Sequence, residues 1–218
     1  MPEIVKFVRQ LGHDLRNHLN AAELQSAYIA ELAEDPELKE EIKRLRAMIS
    51  EVGVSLQRVT TALGTPRLTL MPYAVADFVE DLRQKLATDY PDESAKTDWN
   101  VGATTANLQI DPQALQPALL ELFANAFRHE RAAGVISVEA RTEKDRFVFE
   151  IEEPKTSFKS TTENWGLEPL RSVGQGHYGL GLYRSRSIIE SHDGQLSARY
   201  DSPKSLLITT VVLPLAEP

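Results

Sequence analysis

The sequence predicts an α+β chain. An N-terminal antiparallel helical hairpin pairs with a second copy into a dimeric four-helix bundle, and a two-layer α/β sandwich follows. Three observations carry this expectation. Apolar residues recur three and four apart through residues 1 to 65. Asp111-Pro112 is a strong helix start, and two strand-like runs follow it. A last helix then passes through the turn Asp193-Gly194 into a closing hairpin. The domains read from this are residues 1–65 and 66–218.

The first helix runs from Ile4 to about Ala33, with Val8, Leu11, Leu15, Leu19, Ala22, Ile29 and Leu32 in its apolar pattern. Asp35-Pro36 breaks it, because proline cannot continue a helix and disfavours a helical residue before it. In the second helix Leu38, Ile42, Leu45, Ile49, Val52, Leu56, Val59 and Leu63 alternate steps of four and three, a heptad stripe made to pack on other helices. Gly64-Thr65-Pro66 ends it. A lone hairpin has little core, so two copies are expected to pair. The alternative is a hairpin folded onto its own C-terminal domain.

In the remainder, Arg67 to Leu70 reads as a short edge strand and Tyr73 to Leu86 as a helix with Val75, Phe78, Val79, Leu82 and Leu86 inward. Pro91 to Lys96 reads as a loop. Asp111 can cap the helix that carries Leu115, Leu119, Leu122, Phe123 and Ala126, and Pro112 suits its first turn. Val135 to Arg141 and Arg146 to Glu152 are strand candidates joined by a turn at Thr142 to Asp145. The polar stretch Pro154 to Gln175 has the length of a lid or of a disordered segment. Gly176 to Gly181 opens a helix to about His192. Gln195 to Tyr200 and Leu206 to Leu213 close the domain as a hairpin, giving a mixed sheet with helices on one side.

The chain has 218 residues, 42% hydrophobic and 26% charged, with a net charge of -8. That balance argues against nucleic acid or an anionic membrane as a partner. The absence of cysteine excludes disulfides and thiolate chemistry and fits a reducing cytoplasm, so a cytoplasmic location is expected. No apolar run approaches bilayer length, so no membrane insertion is expected, and Met1 to Gln10 does not read as a signal peptide. Sensing is expected to reside in a separate protein.

The run GHDLRNHLN, Gly12 to Asn20, places a histidine beside an acid on an amphipathic helix. His13 lies off the Leu11, Leu15, Leu19 stripe, and Asn17 is one turn beyond it on the same face. Such a histidine can accept a phosphoryl group or be ordinary surface. Glu121 and Asn125, four apart, share a helix face, and alone they specify nothing. Gly179 and Gly181 can bring backbone N–H groups to phosphates at a helix start.

HDLRNHL (His13 to Leu19), DPQAL (Asp111 to Leu115), ELFANA (Glu121 to Ala126), LEPLR (Leu167 to Arg171), GLGL (Gly179 to Leu182) and IIESHDG (Ile188 to Gly194) come in a telling order. Together they resemble the transmitter core of bacterial two-component sensor histidine kinases. The resemblance covers nearly the whole chain and implies a dimerisation and histidine-phosphotransfer hairpin, then an α/β sandwich of the histidine kinase ATPase type. It assigns attack on ATP to His13, proton handling to Asp14, and orientation of a hydrolytic water to Asn17. It makes Asn125 a Mg2+ ligand and Glu121 its companion acid. Arg128 and His129 are placed to touch phosphate oxygens, with Gly179 and Gly181 around the phosphates. His18 stands where the family often has proline; it falls close to the packed side and is expected to be structural.

One departure lies in IEEPKTS, Ile151 to Ser157. The family has an aspartate for the adenine amino group there, followed by glycines. Glu153 keeps a carboxylate with one more methylene, and Pro154 and Lys155 replace a permissive backbone. The closing turn Ser202-Pro203-Lys204-Ser205 also lacks glycine. ATP binding is therefore expected to be weak or lost. Three functions follow: a kinase core that passes phosphate from His13 to an aspartate on a response regulator receiver domain; a phosphotransferase in a phosphorelay, with a vestigial nucleotide domain; or a non-enzymatic dimeric scaffold that binds a regulator.

Overall fold

The computed structural model describes residues 2–128, 134–158, 161–169 and 179–216. The chain divides into two compact units, Met1–Gly64 and Thr65–Pro218.

The first unit is a hairpin of α1 (Pro2–Leu32) and α2 (Pro36–Ala62). Asp35 caps α2 by accepting a hydrogen bond from the Glu37 N–H at 2.9 Å, and Pro36 occupies the first turn. This satisfies a donor that the helix itself leaves unpaired. The heptad stripe divides into two rows of period seven. Ile42 and Leu63 are buried, with Ile49 and Leu56 half-buried between them. The other row, Leu38, Leu45 and Val52, is exposed until it reaches the half-buried Val59. The helices approach closely at Gly12, where a Cβ would overlap the Thr60 methyl group. Arg16 reaches across to donate to the Gln57 side chain.

The second unit carries β1 (Met71–Ala74), α3 (Val75–Asp89), α4 (Pro91–Ser94), β2 (Thr97–Val101), β3 (Asn107–Ile110), α5 (Pro112–Arg128), β4 (Ile136–Glu143), β5 (Arg146–Pro154), α6 (Gly181–Ser191), β6 (Gln195–Asp201) and β7 (Leu206–Pro214). Five strands form one sheet in the order β2-β4-β5-β7-β6, and β1 pairs with β3 in a second, two-stranded sheet. β2 runs parallel to β4, and the other pairs in the larger sheet are antiparallel. A parallel pair needs a crossover, which here includes α5. The helices bury Phe78, Val79, Leu82 and Leu86 of α3 and Leu115, Leu119 and Phe123 of α5 with the β5 residues Phe147, Phe149 and Ile151. Phe123 meets Phe149 edge-on with ring centroids 6.2 Å apart.

Several expectations shift. The edge strand is β1, four residues later than Arg67 to Leu70, and α3 starts at Val75 because Tyr73 and Ala74 are spent in pairing with Leu108 and Asn107. β2 and β3 were not anticipated, and Pro91 to Ser94 forms a helical turn inside the expected loop. His18, expected near the packed side, is exposed on the single chain.

Candidate functional site

The residues singled out by the sequence lie in three places. On α1, the His13 side chain is 69% exposed and that of Asp14 52%. Adjacent residues diverge by about 100° on a helix, yet the Asp14 carboxylate reaches back to His13 Nδ1 at 3.2 Å. Gln10, one turn earlier, donates to the same Asp14 oxygen at 3.0 Å. Asn17 Nδ2 is 3.4 Å from His13 Nδ1. One ring nitrogen therefore faces both polar neighbours. A carboxylate is acceptor-only, so Asp14, the nearer neighbour, favours the tautomer with its proton on Nδ1 and the lone pair on Nε2, whereas the more distant Asn17 amide N–H favours the reverse. Lys6, Phe7 and Gln10 border a shallow hollow with His13.

The second place is the groove between α5 and α6, about 450 Å³, lined among others by Asp111, Pro117, Glu121, Gly181 and Arg184. Its geometry starts at Asp111. The Asp111 carboxylate accepts from the Thr69 N–H at 2.9 Å and the Ala114 N–H at 3.1 Å. These bonds, led by the one from Thr69, hold its carboxyl below the ordinary carboxylate range. Its own N–H donates to Nε2 of the buried His192 at 3.0 Å, while His192 Nδ1 lies 2.8 Å from the Ile188 carbonyl oxygen. The neutral ring thus donates at one nitrogen and accepts at the other, tying the end of α6 to the start of α5. Further along, Ser185 Oγ donates to the Ala118 carbonyl at 2.9 Å. Pro117, inside α5, has no N–H to return to the preceding turn.

This alignment brings Glu121 against the first turn of α6. A Cβ at Gly181 would overlap the Glu121 carboxylate, so only glycine permits the approach. Gly179, at φ 59°, occupies the left-handed region that glycine adopts without strain. Arg184 stands one turn into α6, where burial pulls its guanidinium down from the usual value. Asn125 is half-buried on α5, one turn after Glu121, and Arg128 is exposed at the end of that helix. His129 lies outside the described residues, as do Arg171 of the lid run and the stretch 170–178.

The third place is the end of β5. Glu153 and Lys155 are 5% and 3% exposed, and Lys155 Nζ lies 2.5 Å from Glu153 Oε1. Glu153 does not line the groove between α5 and α6, so the structure gathers Glu121 with Gly181 but does not add Glu153 to that cleft. Sequence reasoning missed the Lys155 partner, the His192 link and Arg184. The first had a readable signal, since Phe149, Ile151, Glu153 and Lys155 alternate onto one strand face.

Hard oxygen donors at Glu121 and Asn125 suit Mg2+, and the backbone N–H groups at the start of α6 suit phosphate. Among the described residues no group of three or more His, Asp or Glu is arranged to hold a metal by itself. Bound Mg2+ would therefore rely on substrate oxygens as well as on Asn125. No described helix is long and apolar enough to cross a membrane.

Residues 110–217 match the family described as histidine kinase-, DNA gyrase B- and HSP90-like ATPase. The chain is 24% identical over 206 residues to the alginate biosynthesis sensor protein KinB of Pseudomonas aeruginosa, covering 89% of this chain and 34% of KinB. It is 26% identical over 208 residues to the sensor histidine kinase ZraS of Salmonella typhimurium, covering 91% of this chain and 43% of ZraS. The chain thus spans less than half the length of these relatives. Among solved structures, full-length ShkA in complex with AMPPNP superposes with a TM-score of 0.63 at 17% identity, over 98% of this chain and 46% of ShkA. The Acinetobacter baumannii histidine kinase AdeS superposes with a TM-score of 0.55 at 17% identity, over 93% of this chain and 96% of AdeS. Residues 110–217 belong to the histidine kinase-, DNA gyrase B- and HSP90-like ATPase family, and the chain is built as a two-component histidine kinase transmitter core.

Proposed function

We propose that the protein is a homodimeric histidine kinase core that phosphorylates His13 from ATP and passes the phosphoryl group to an aspartate on a response regulator receiver domain. The observation that carries this is the His13 imidazole, exposed on a helix with Nδ1 engaged by Asp14. Nε2 attacks the γ-phosphorus; the Nε2–P bond forms, the bond from that phosphorus to the β–γ bridging oxygen breaks, and ADP leaves. The Nδ1 proton passes to Asp14 or is held by it. Asn17 would orient a water for the opposing, hydrolytic step. Bound Mg2+ would neutralise phosphate charge. On the protein side, Asn125 would offer it an amide oxygen while Glu121 polarises the approaching nucleophile. Gly179, Gly181 and the start of α6 would cradle phosphate, and Arg128 and His129 would take outer oxygens. The exposed row Leu38, Leu45 and Val52 supports pairing with a second copy. A separate sensor protein and a cytoplasmic location complete the reading.

The experiment is incubation with γ-labelled Mg-ATP, followed by acid and alkali treatment. Acid-labile, alkali-stable label on wild type and none on His13→Ala is expected. Label that persists in His13→Ala would overturn the assignment. No label from ATP, with full transfer from a phosphorylated receiver domain, would replace the kinase by the phosphotransferase. A partner captured without either transfer would leave the scaffold.

A further inference from the structure

His13 Nδ1 has two polar neighbours that ask for opposite protonation. Asp14 Oδ1, at 3.2 Å, can only accept, so it is satisfied when Nδ1 carries the proton. The Asn17 amide N–H, at 3.4 Å, is satisfied when Nδ1 keeps its lone pair. The choice matters for the proposed transfer. A proton on Nδ1 leaves the electron pair of Nε2 free to attack phosphorus, and a proton on Nε2 blocks that attack.

The contest turns on where the Asp14 carboxylate points. Its side chain is 52% exposed, so water competes for it, and successive helix residues diverge by about 100°. Its place on the helix alone therefore does not turn it toward His13. Gln10 does. Helical side chains lean back over the preceding turn, and Gln10 lies four residues before Asp14 and three before His13, on the surface that both of them cover. Gln10 Nε2 donates to Asp14 Oδ1 at 3.0 Å, the same oxygen that lies against His13 Nδ1. Gln10 and His13 also border one hollow on α1. We propose that Gln10 is a positioning residue for the phosphoacceptor: through Asp14 it holds the His13 proton on Nδ1 and keeps Nε2 open for phosphoryl transfer. This deepens the proposed reading of His13 and rests on it. The coupling is modest, since a glutamine–aspartate hydrogen bond at this helical spacing shifts an equilibrium by about a factor of two.

The test is nitrogen-15 NMR of the full chain at alkaline pH, where an imidazole is neutral, with the His13 signals assigned by comparison with His13→Ala. The quantity read is the ratio of Nδ1-protonated to Nε2-protonated ring. Gln10→Met keeps the side chain's length and removes its donor, so the ratio should fall about twofold. Gln10→Lys returns a donor to the same place and should restore it. Asp14→Asn should lower the ratio as well, and adding Gln10→Met to that variant should change nothing further, because the effect passes through the carboxylate. In phosphorylation from Mg-ATP, Gln10→Met should lower kcat by up to about twofold with KM unchanged. A ratio unchanged in Gln10→Met, or lowered equally in the Asp14→Asn background, overturns the role of Gln10 and leaves His13 as the phosphoacceptor. No label on wild-type His13, from Mg-ATP or from a phosphorylated receiver domain, overturns the reading of His13 and the role of Gln10 in transfer with it.

Discussion

The two units leave their large apolar residues in opposite states. In the hairpin, Leu24, Tyr28, Leu45, Met48 and Val52 are exposed, while in the C-terminal unit Phe78, Phe123, Phe147 and Phe149 have none of their surface in water. Burying such a side chain is worth about 1.5–3 kcal/mol, so the C-terminal unit contains its own driving force for folding. The hairpin contains half of one. Its inner row, Ile42 to Leu63, joins two helices, and its outer row waits for another surface. The difference teaches that one chain can combine a domain that buries its largest apolar side chains with an element that leaves many of its own exposed, as the proposed pairing of two copies requires.

The strongest way to break this comparison is to charge the outer row. Leu45→Asp with Val52→Asp would bury unpaired carboxylates in both copies of a bundle, costing on the order of several kcal/mol. We expect the dimer to fall apart in sedimentation while the unfolding of the C-terminal unit is unchanged. A wild-type monomer at micromolar concentration would remove the reason for the exposed row. Phe123→Ala makes the complementary perturbation. It should cost the C-terminal unit about 3–5 kcal/mol, because the cavity opens against Phe149 and Trp99. Sedimentation should show the dimer intact.

Asp111→Ala comes next, at about 1–2 kcal/mol for a lost helix cap. Its pH dependence has a definite sign. The folded carboxyl sits below its ordinary value of 3.8, so its ionised form is favoured in the folded state. The contribution is complete above 3.8 and is lost as pH falls through the lower folded value. Urea unfolding of wild type and Asp111→Ala should therefore converge on acidification, and a gap that widens would contradict the cap. The smallest effect on stability belongs to Asp14→Asn, within about 0.5 kcal/mol because the side chain is half in water. Phosphorylation of His13 should slow in the same variant, separating its chemistry from its structural role.

The helical parts were legible because their signals are local. Asp35-Pro36 announced the break between α1 and α2, Asp111-Pro112 announced α5 through cap chemistry, and the heptads announced the hairpin. The small sheet was not legible in the same way. Arg67 to Leu70 alternates as a strand should, but pairing with β3 selects Met71–Ala74, a choice made by a partner more than 30 residues away. β2 carries only Trp99 as a large apolar anchor, and its parallel neighbour β4 lies beyond α5. In the candidate site, Gly181 and Glu121 were readable as motif positions, though their close approach depends on the packing of α5 on α6. The Asp111–His192 link joins residues 81 apart, and no periodicity reports it.

The most direct measurement is the position of the phosphoryl group on the imidazole. After reaction with Mg-ATP at alkaline pH, phosphorus–proton correlation spectroscopy distinguishes Nε2-phosphohistidine from the Nδ1 isomer. With Nδ1 held toward Asp14 and Nε2 carrying the lone pair, we expect a single Nε2-phosphohistidine at His13, absent in His13→Ala. Phosphate on Nδ1 of His13, or on His18, would contradict the proposed geometry.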